Sequence, residues 1–177
     1  EKILRDRNDQ PMKDPELVRV FIDFLRQEGR EREANKLLMT IPMTKEEIDE
    51  YIDRGIDLNI LYANQTLTPK QIDKAIDKRK DLNFIYIYIY QKNLTPKQID
   101  KAMAIGKELG VLYANQTLTS EQIDKAMDIG ESLYALYENQ KLTPEQIDKA
   151  IDKGIYLGSL YENQKNLSPE NIDHAID

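Results

Sequence analysis

The acid, base and amide side chains of this sequence recur at fixed intervals, and the recurrence limits the chemistry open to them. An acid–base pair stands at Asp73-Lys74, Asp100-Lys101, Asp124-Lys125 and Asp148-Lys149, and an amide pair at Asn64-Gln65, Asn115-Gln116, Asn139-Gln140 and Asn163-Gln164. Tyrosine recurs at Tyr62, Tyr86, Tyr113, Tyr137 and Tyr161, each closing an apolar stripe. A carboxylate repeated beside a lysine builds parallel charged rows. Such rows are either a solvated face of compensating charge or a ladder aimed at a partner, and the solvated face is the simpler reading. The amides are either a recognition edge or, more simply, partners for main-chain groups of neighbouring turns. The tyrosines read as packing between units, with the hydroxyl reaching solvent or a turn, ahead of an aromatic binding platform.

Nothing in this set assembles a catalytic centre. His174 is the only histidine and fills the place held by lysine in the four preceding copies. It has no second histidine, no cysteine and no distinctive nucleophile beside it, so neither a nucleophile–base pair nor a metal-ligand set is formed. The sequence is therefore expected to be no enzyme, with no catalytic, cofactor or metal residues.

The elements that must carry these side chains are repeats. Thr143-Pro144-Glu145-Gln146-Ile147-Asp148-Lys149-Ala150-Ile151 has close copies starting at Thr44, Thr68, Thr95, Thr119 and Ser168, with starts spaced 24, 27, 24, 24 and 25 residues apart. Self-similarity at that period marks a solenoid of stacked supersecondary units. In each unit a Thr or Ser N-cap precedes a helix whose third residue completes a capping box, as Gln146 does for Thr143. Leu142 and Ile147 form a hydrophobic staple across that start. Ile147, Ala150 and Ile151 then share one helical face, and Gly154 fits a left-handed terminator, as do Gly55, Gly106 and Gly130. A second short helix follows, with Leu157, Leu160 and Tyr161 on one face. Helices this short are marginal alone, so the units must stack, and the alanines at 75, 102, 126, 150 and 175 let neighbours approach closely.

The fold class expected is therefore all-α, an α-solenoid of about 24-residue two-helix repeats with a divergent N-terminal helical hairpin. Residues 1–13 read as a flexible lead-in. Residues 14–41 form the capping hairpin, with Leu17, Val20, Phe21, Phe24 and Leu25 as its apolar stripe, and residues 42–177 hold six copies, the last incomplete. An array should not stop inside a repeat without a cap, so the parent chain is expected to be longer.

The second copy breaks the pattern. Arg79 stands where its siblings have glycine, and the run Phe84-Ile85-Tyr86-Ile87-Tyr88-Ile89-Tyr90 replaces the usual second helix and turn. Leu82, Ile85, Tyr86 and Ile89 can form a helical stripe in a helix lengthened by half a turn, whereas the alternation of Ile and Tyr has the period of a strand. Either way Phe84, Ile87, Tyr88 and Tyr90 are the candidate partner-binding residues, as an exposed aromatic cluster is an interface signal.

Charged residues make up 32% of the chain and the net charge is −7. Residues 1–40 are neutral, so the whole excess of acid lies in residues 41–177. That sign argues against duplex DNA, which needs a basic stripe to neutralise phosphates. No apolar run approaches the ~20 residues of a membrane span.

A Leu-Thr-Pro start, an Asn-rich turn before it and two short helical segments in a unit of 24 residues, over residues 42–177, resemble the leucine-rich repeat variant and the short HEAT-like repeats of bacterial and bacteriophage proteins. The chain differs in having Asn-Gln where Asn-Pro is usual in that family. It also lacks the basic, Arg-containing second helix of many such repeats. The resemblance implies a curved α-solenoid used for binding, with no shared catalytic residues. The expected function is a non-enzymatic protein-binding scaffold or assembly component, cytoplasmic, or virion-associated if of phage origin. The alternative is an acidic inhibitor that mimics nucleic acid to block a target's binding site.

Overall fold

The structure, a computed structural model, describes residues 14–78 and 84–176 of the chain. Among the described residues it holds thirteen helices and no strand. Two units are formed, Glu1–Lys78 and Arg79–Asp177. The first contains α1 (Pro15–Gln27), α2 (Glu31–Leu38), α3 (Lys45–Arg54), α4 (Leu58–Asn64) and α5 (Pro69–Lys78). The second contains α6 (Ile85–Tyr90), α7 (Pro96–Ile105), α8 (Leu109–Asn115), α9 (Ser120–Ile129), α10 (Leu133–Asn139), α11 (Pro144–Lys153), α12 (Leu157–Asn163) and α13 (Pro169–Ile176). Both units are α-solenoids of one helix pair repeated. First helices pack on first helices, α3 on α5 and α11 on α13, and second helices on second, α6 on α8, α8 on α10 and α10 on α12.

The local causes are those written in the sequence. Thr44, Thr95, Thr119 and Thr143 each accept from the amide at N3, while the side chain at N3 accepts from the cap's own amide. Thr68 with Gln71 and Ser168 with Asn171 make the same reciprocal bonds. Two orphan N–H groups of each short helix are thereby satisfied. Four of the first helices, α3, α7, α9 and α11, end on a left-handed glycine, with φ of +66° at Gly55, +71° at Gly106, +78° at Gly130 and +65° at Gly154. Arg79, which replaces that glycine in the second copy, lies outside the described residues, as do residues 1–13.

A second left-handed position follows two residues after each of these glycines, and here the residue is never glycine. Asp57 (φ +47°), Glu108 (+56°), Ser132 (+54°) and Tyr156 (+56°) turn the chain directly into α4, α8, α10 and α12. None of the four makes a side-chain capping bond to the helix it begins. A Cβ in that region costs ~1–2 kcal/mol, so the corner between the helices stores strain that stacking must offset.

The core runs between the two rows of helices. Ile147, Ala150 and Ile151 from the first helix and Leu133, Leu136 and Tyr137 from the second are buried, as are their equivalents in the other interior repeats. The capping hairpin departs from expectation. The face of α1 that enters the core is Val18, Ile22 and Leu25, whereas Leu17, Val20 and Phe24 are exposed and Phe21 is half-buried. This corrects the stripe read from the sequence, of which only Leu25 is buried. The cause is that α1 is apolar around more than half of its circumference, so spacing alone offers two faces. Side-chain contacts tie the hairpin to the first repeat. The Arg19 guanidinium donates to both Glu47 carboxylate oxygens, at 2.7 and 3.1 Å, and the buried Tyr51 hydroxyl donates to Asn35 Oδ1 at 2.6 Å.

Candidate functional site

Two ladders of buried glutamines run along the stacked repeats, and they use up the amides. Gln116 donates through Nε2 to the main-chain oxygens of Tyr88 (2.8 Å) and Gln91 (2.9 Å), and its Oε1 accepts from the amide of Leu94 at 3.3 Å. Gln140 does the same to Tyr113, Gln116 and Leu118, and Gln164 to Tyr137, Gln140 and Leu142. In the first unit Gln65 binds Met39, Ile41 and Met43 in this way. One carboxamide thus satisfies three main-chain groups of the element before it, which are otherwise orphaned at a helix end.

The second ladder uses the capping-box residue. Gln71, Gln122 and Gln146 cap their own helices and also donate through Nε2 to the first-turn oxygens of Lys45, Pro96 and Ser120 in the preceding repeat. The structural role of the Asn-Gln turn is as the sequence reading favoured. The asparagine has a separate, local task, since Asn64, Asn115, Asn139 and Asn163 each donate to the oxygen four residues earlier and close their own second helix.

The charged rows are also spent between repeats. Lys74 lies 2.8 Å from Asp53, Lys125 3.0 Å from Asp100 and Lys149 2.8 Å from Asp128, each pair joining one first helix to the next. Hydrogen bonds from these lysines hold the carboxyls of Asp53, Asp100 and Asp128 below the ordinary aspartate range. All of these groups are exposed enough for solvent to screen them. Their effect is therefore to neutralise the face more than to stabilise it.

Three of the four candidate partner-binding residues of the second copy are core residues. Phe84, Ile87 and Tyr88 are fully buried, and Phe84 stacks on Tyr88 with ring centroids 5.9 Å apart. The expectation that Phe84 and Tyr88 are offered to a partner is overturned by that burial. Tyr90 alone is exposed, stacked on Tyr86. Nor is there a strand or a lengthened helix, as α6 has six residues. Its register explains the error. Tyr88, not Tyr86, is the counterpart of Tyr62, Tyr113 and Tyr137, all buried, and Phe84 is the counterpart of Leu58, Leu109 and Leu133. Gln91 keeps the ladder position, and Tyr90 stands where the other repeats carry the helix-closing asparagine. Two of the extra residues therefore fall before Phe84, within the segment 79–83 outside the described residues. Tyr161, read as packing, is exposed.

The hydroxyls of Tyr88, Tyr113 and Tyr137 are buried with no hydrogen-bond partner. Burial raises all three above the ordinary tyrosine value, Tyr113 to about 12. They do not reach solvent or a turn as the sequence reading had it.

Among the described residues, large apolar side chains are exposed on two helical surfaces besides Tyr90, Tyr161 and Ile172. One is the outer face of α1. The other, in the second unit, is formed by Tyr134 and Tyr156, which meet edge to face at 5.8 Å across two repeats, and Ile129 and Ile155 are exposed in the same repeats. Sequence reasoning missed both. The signal for the second was present, because Tyr134 stands where neighbouring repeats have Gly110 and Gly158, and Tyr156 where they have Asp57, Glu108 and Ser132. Among the described residues no three histidine, aspartate or glutamate side chains converge as a metal site would require. Among the described residues no helix is long and apolar enough to cross a membrane. The side chain of His174 lies outside the described ones. Comparison with protein-family models, with curated protein sequences and with solved structures gives no match.

Proposed function

We propose that this chain is a non-enzymatic protein-binding scaffold or assembly component. The observation that carries the reading is a division of labour. Buried glutamines and Asp–Lys pairs engage polar groups of neighbouring repeats, while large apolar side chains are left on two exposed faces. Monomeric soluble proteins seldom leave contiguous apolar patches without an interaction to cover them. A phage or bacterial setting follows only from the resemblance to leucine-rich repeat variant and short HEAT-like arrays.

The net charge of −7 favours a second reading, an acidic inhibitor that occupies a nucleic-acid-binding site. Against it, three of the first-helix carboxylates, Asp53, Asp100 and Asp128, are paired with row lysines of the next repeat, which offsets their charge.

One experiment separates the two. The full chain is immobilised, bound proteins are identified by mass spectrometry, and the capture is repeated with excess duplex DNA and with Tyr134→Ser/Tyr156→Ser and Val20→Ser/Phe24→Ser variants. A scaffold retains its partners in DNA and loses them in one of the variants. Release by DNA with both variants unaffected would replace the scaffold reading with mimicry.

A further inference from the structure

We infer that the surface formed by α12, the turn 164–167 and the start of α13 is a binding site for one helix pair of this same repeat pattern, carried by a partner chain. The inference rests on the scaffold reading and gives it a site and a partner chemistry. The surface continues an interface already made twice in the second unit, where α10 is covered by α12 and α11 by α13. Tyr161 is 37% exposed and Ile172 49%, whereas their counterparts Tyr137 and Ile147 are fully buried. Leu167 is half-buried where Leu118 and Leu142 are buried. These side chains are core wherever a repeat lies against them, and in an array each repeat meets only its neighbours.

The polar groups specify the occupant. Gln164 donates to the main-chain oxygens of Tyr137 and Gln140 and accepts from the amide of Leu142. One repeat on, the equivalent groups are the oxygens of Tyr161 and Gln164 and the amide of Leu167. Their turn, Gln164-Lys165-Asn166-Leu167, has the same sequence as Gln91-Lys92-Asn93-Leu94. There Gln116 takes up the oxygens of Tyr88 and Gln91 and the amide of Leu94. The second helix of the occupant therefore ends in glutamine. Its first helix carries glutamine at N3, because Gln122 reaches the oxygen of Pro96, and Pro169 is the counterpart of Pro96 in α13. A lysine three residues after that glutamine faces the exposed Asp173, the counterpart of Asp100, which Lys125 meets at 3.0 Å.

A second copy of this chain does not supply these groups. Its capping hairpin has Ile41 where the repeats carry the donating glutamine, since Gln65 addresses the oxygen of Ile41 as Gln140 addresses that of Gln116. It also has Leu17 at N3 of α1, three residues after the Asp14 cap. The partner is a chain that presents an uncapped repeat.

The test uses the full chain and a labelled synthetic peptide copying residues 143–166, one helix pair, read by fluorescence anisotropy. The peptide should bind saturably and gain helical ellipticity as it does, because helices this short are marginal alone. Gln164→Leu in the peptide should weaken binding at least about tenfold, since buried main-chain groups then lose their partner. Tyr161→Glu/Ile172→Glu in the full chain should abolish binding. Asp173→Lys should weaken it, and a peptide with Lys149→Glu should recover it. These full-chain substitutions are at exposed positions, and unchanged melting midpoints would show that the array is intact. Tyr134→Ser/Tyr156→Ser should leave binding as it is.

A Gln164→Leu peptide that binds as well as its parent would mean an unselective apolar surface and would overturn the inference. Absence of saturable binding, or binding indifferent to Tyr161→Glu/Ile172→Glu, would do the same. So would a dimer in sedimentation velocity that Tyr161→Glu/Ile172→Glu dissolves, since the occupant would then be a second copy. Failure of the peptide while captured partners depend on Tyr134 and Tyr156 would remove this site and leave the scaffold reading standing.

Discussion

Gln164 donates its side-chain amide to the main-chain oxygen of Gln140 at 2.8 Å, and Gln140 donates in the same way to Gln116 at 2.9 Å. Each glutamine is at once the reader of the repeat before it and the group read by the repeat after it. Substitutions in this row should therefore be far more costly than their polar character suggests.

Gln140→Leu leaves the oxygens of Tyr113 and Gln116 and the amide of Leu118 without their partner in a buried place. At ~1–3 kcal/mol for each orphaned group, a loss of about 3 kcal/mol or more in urea melts is expected. Asn139→Ala removes only one bond, to Ala135, and should cost ~1 kcal/mol. Equal losses at the two positions would dismiss the ladder as a source of stability.

The tyrosine hydroxyls should divide by partner. Tyr113→Phe removes a buried hydroxyl that has no bond, so melts should show no loss or a small gain. Tyr51→Phe removes the donor to buried Asn35 and should cost ~1–3 kcal/mol.

Strain at the corner between helices should be relieved by glycine. Ser132→Gly should raise stability by up to ~1 kcal/mol, and Ser132→Val should lower it by more than that. Gly130→Ala, at φ +78°, should lower it by ~1 kcal/mol. A stabilising Ser132→Val would mean that the left-handed corner is not kept in solution.

Acid should loosen the hairpin first. The Arg19 hydrogen bond holds the Glu47 carboxyl below its ordinary value, with the Thr44 amide contributing. A carboxyl lowered by folding contributes its stability in full above the unfolded value of about 4.3, and loses it as pH falls through the folded value. Glu47→Gln keeps the capping box, since glutamine fills this place in the next repeats. It should cost about 1 kcal/mol or less at neutral pH, because both groups are partly exposed. Melting midpoints of the variant should fall less steeply than those of the parent between pH 5 and pH 3, an interval set by that ordinary carboxylate value.

The parts of this fold legible in the sequence are those that act within one helix. Thr143 with Gln146 and the glycine at 154 declare themselves because capping and chain reversal depend on residues three to eleven positions apart. That the amide row serves main-chain groups of neighbouring turns was legible, but which groups Gln140 reaches was not, because its partners lie in the repeat before and are main-chain atoms, which carry no residue identity. Asp57, Glu108, Ser132 and Tyr156 share no chemistry, so nothing marked them as one strained corner. The candidate site went astray for a related reason. Phe84 and Tyr88 were judged by their own spacing, while their burial is decided by a register that Gln91 and Leu94 set against Gln116. On α1, apolar residues surround too much of the helix for spacing to say which side meets α2 and which meets solvent.

The glutamine row has an evolutionary consequence. Its contacts are addressed to main-chain atoms, so a repeat does not need to know which side chains its predecessor displays. A cassette of about 24 residues can be duplicated, deleted or shuffled within a gene without a compensating change in its neighbour. Outward positions such as 134 and 156 are then free to drift independently, copy by copy, while the spine that aligns them stays the same.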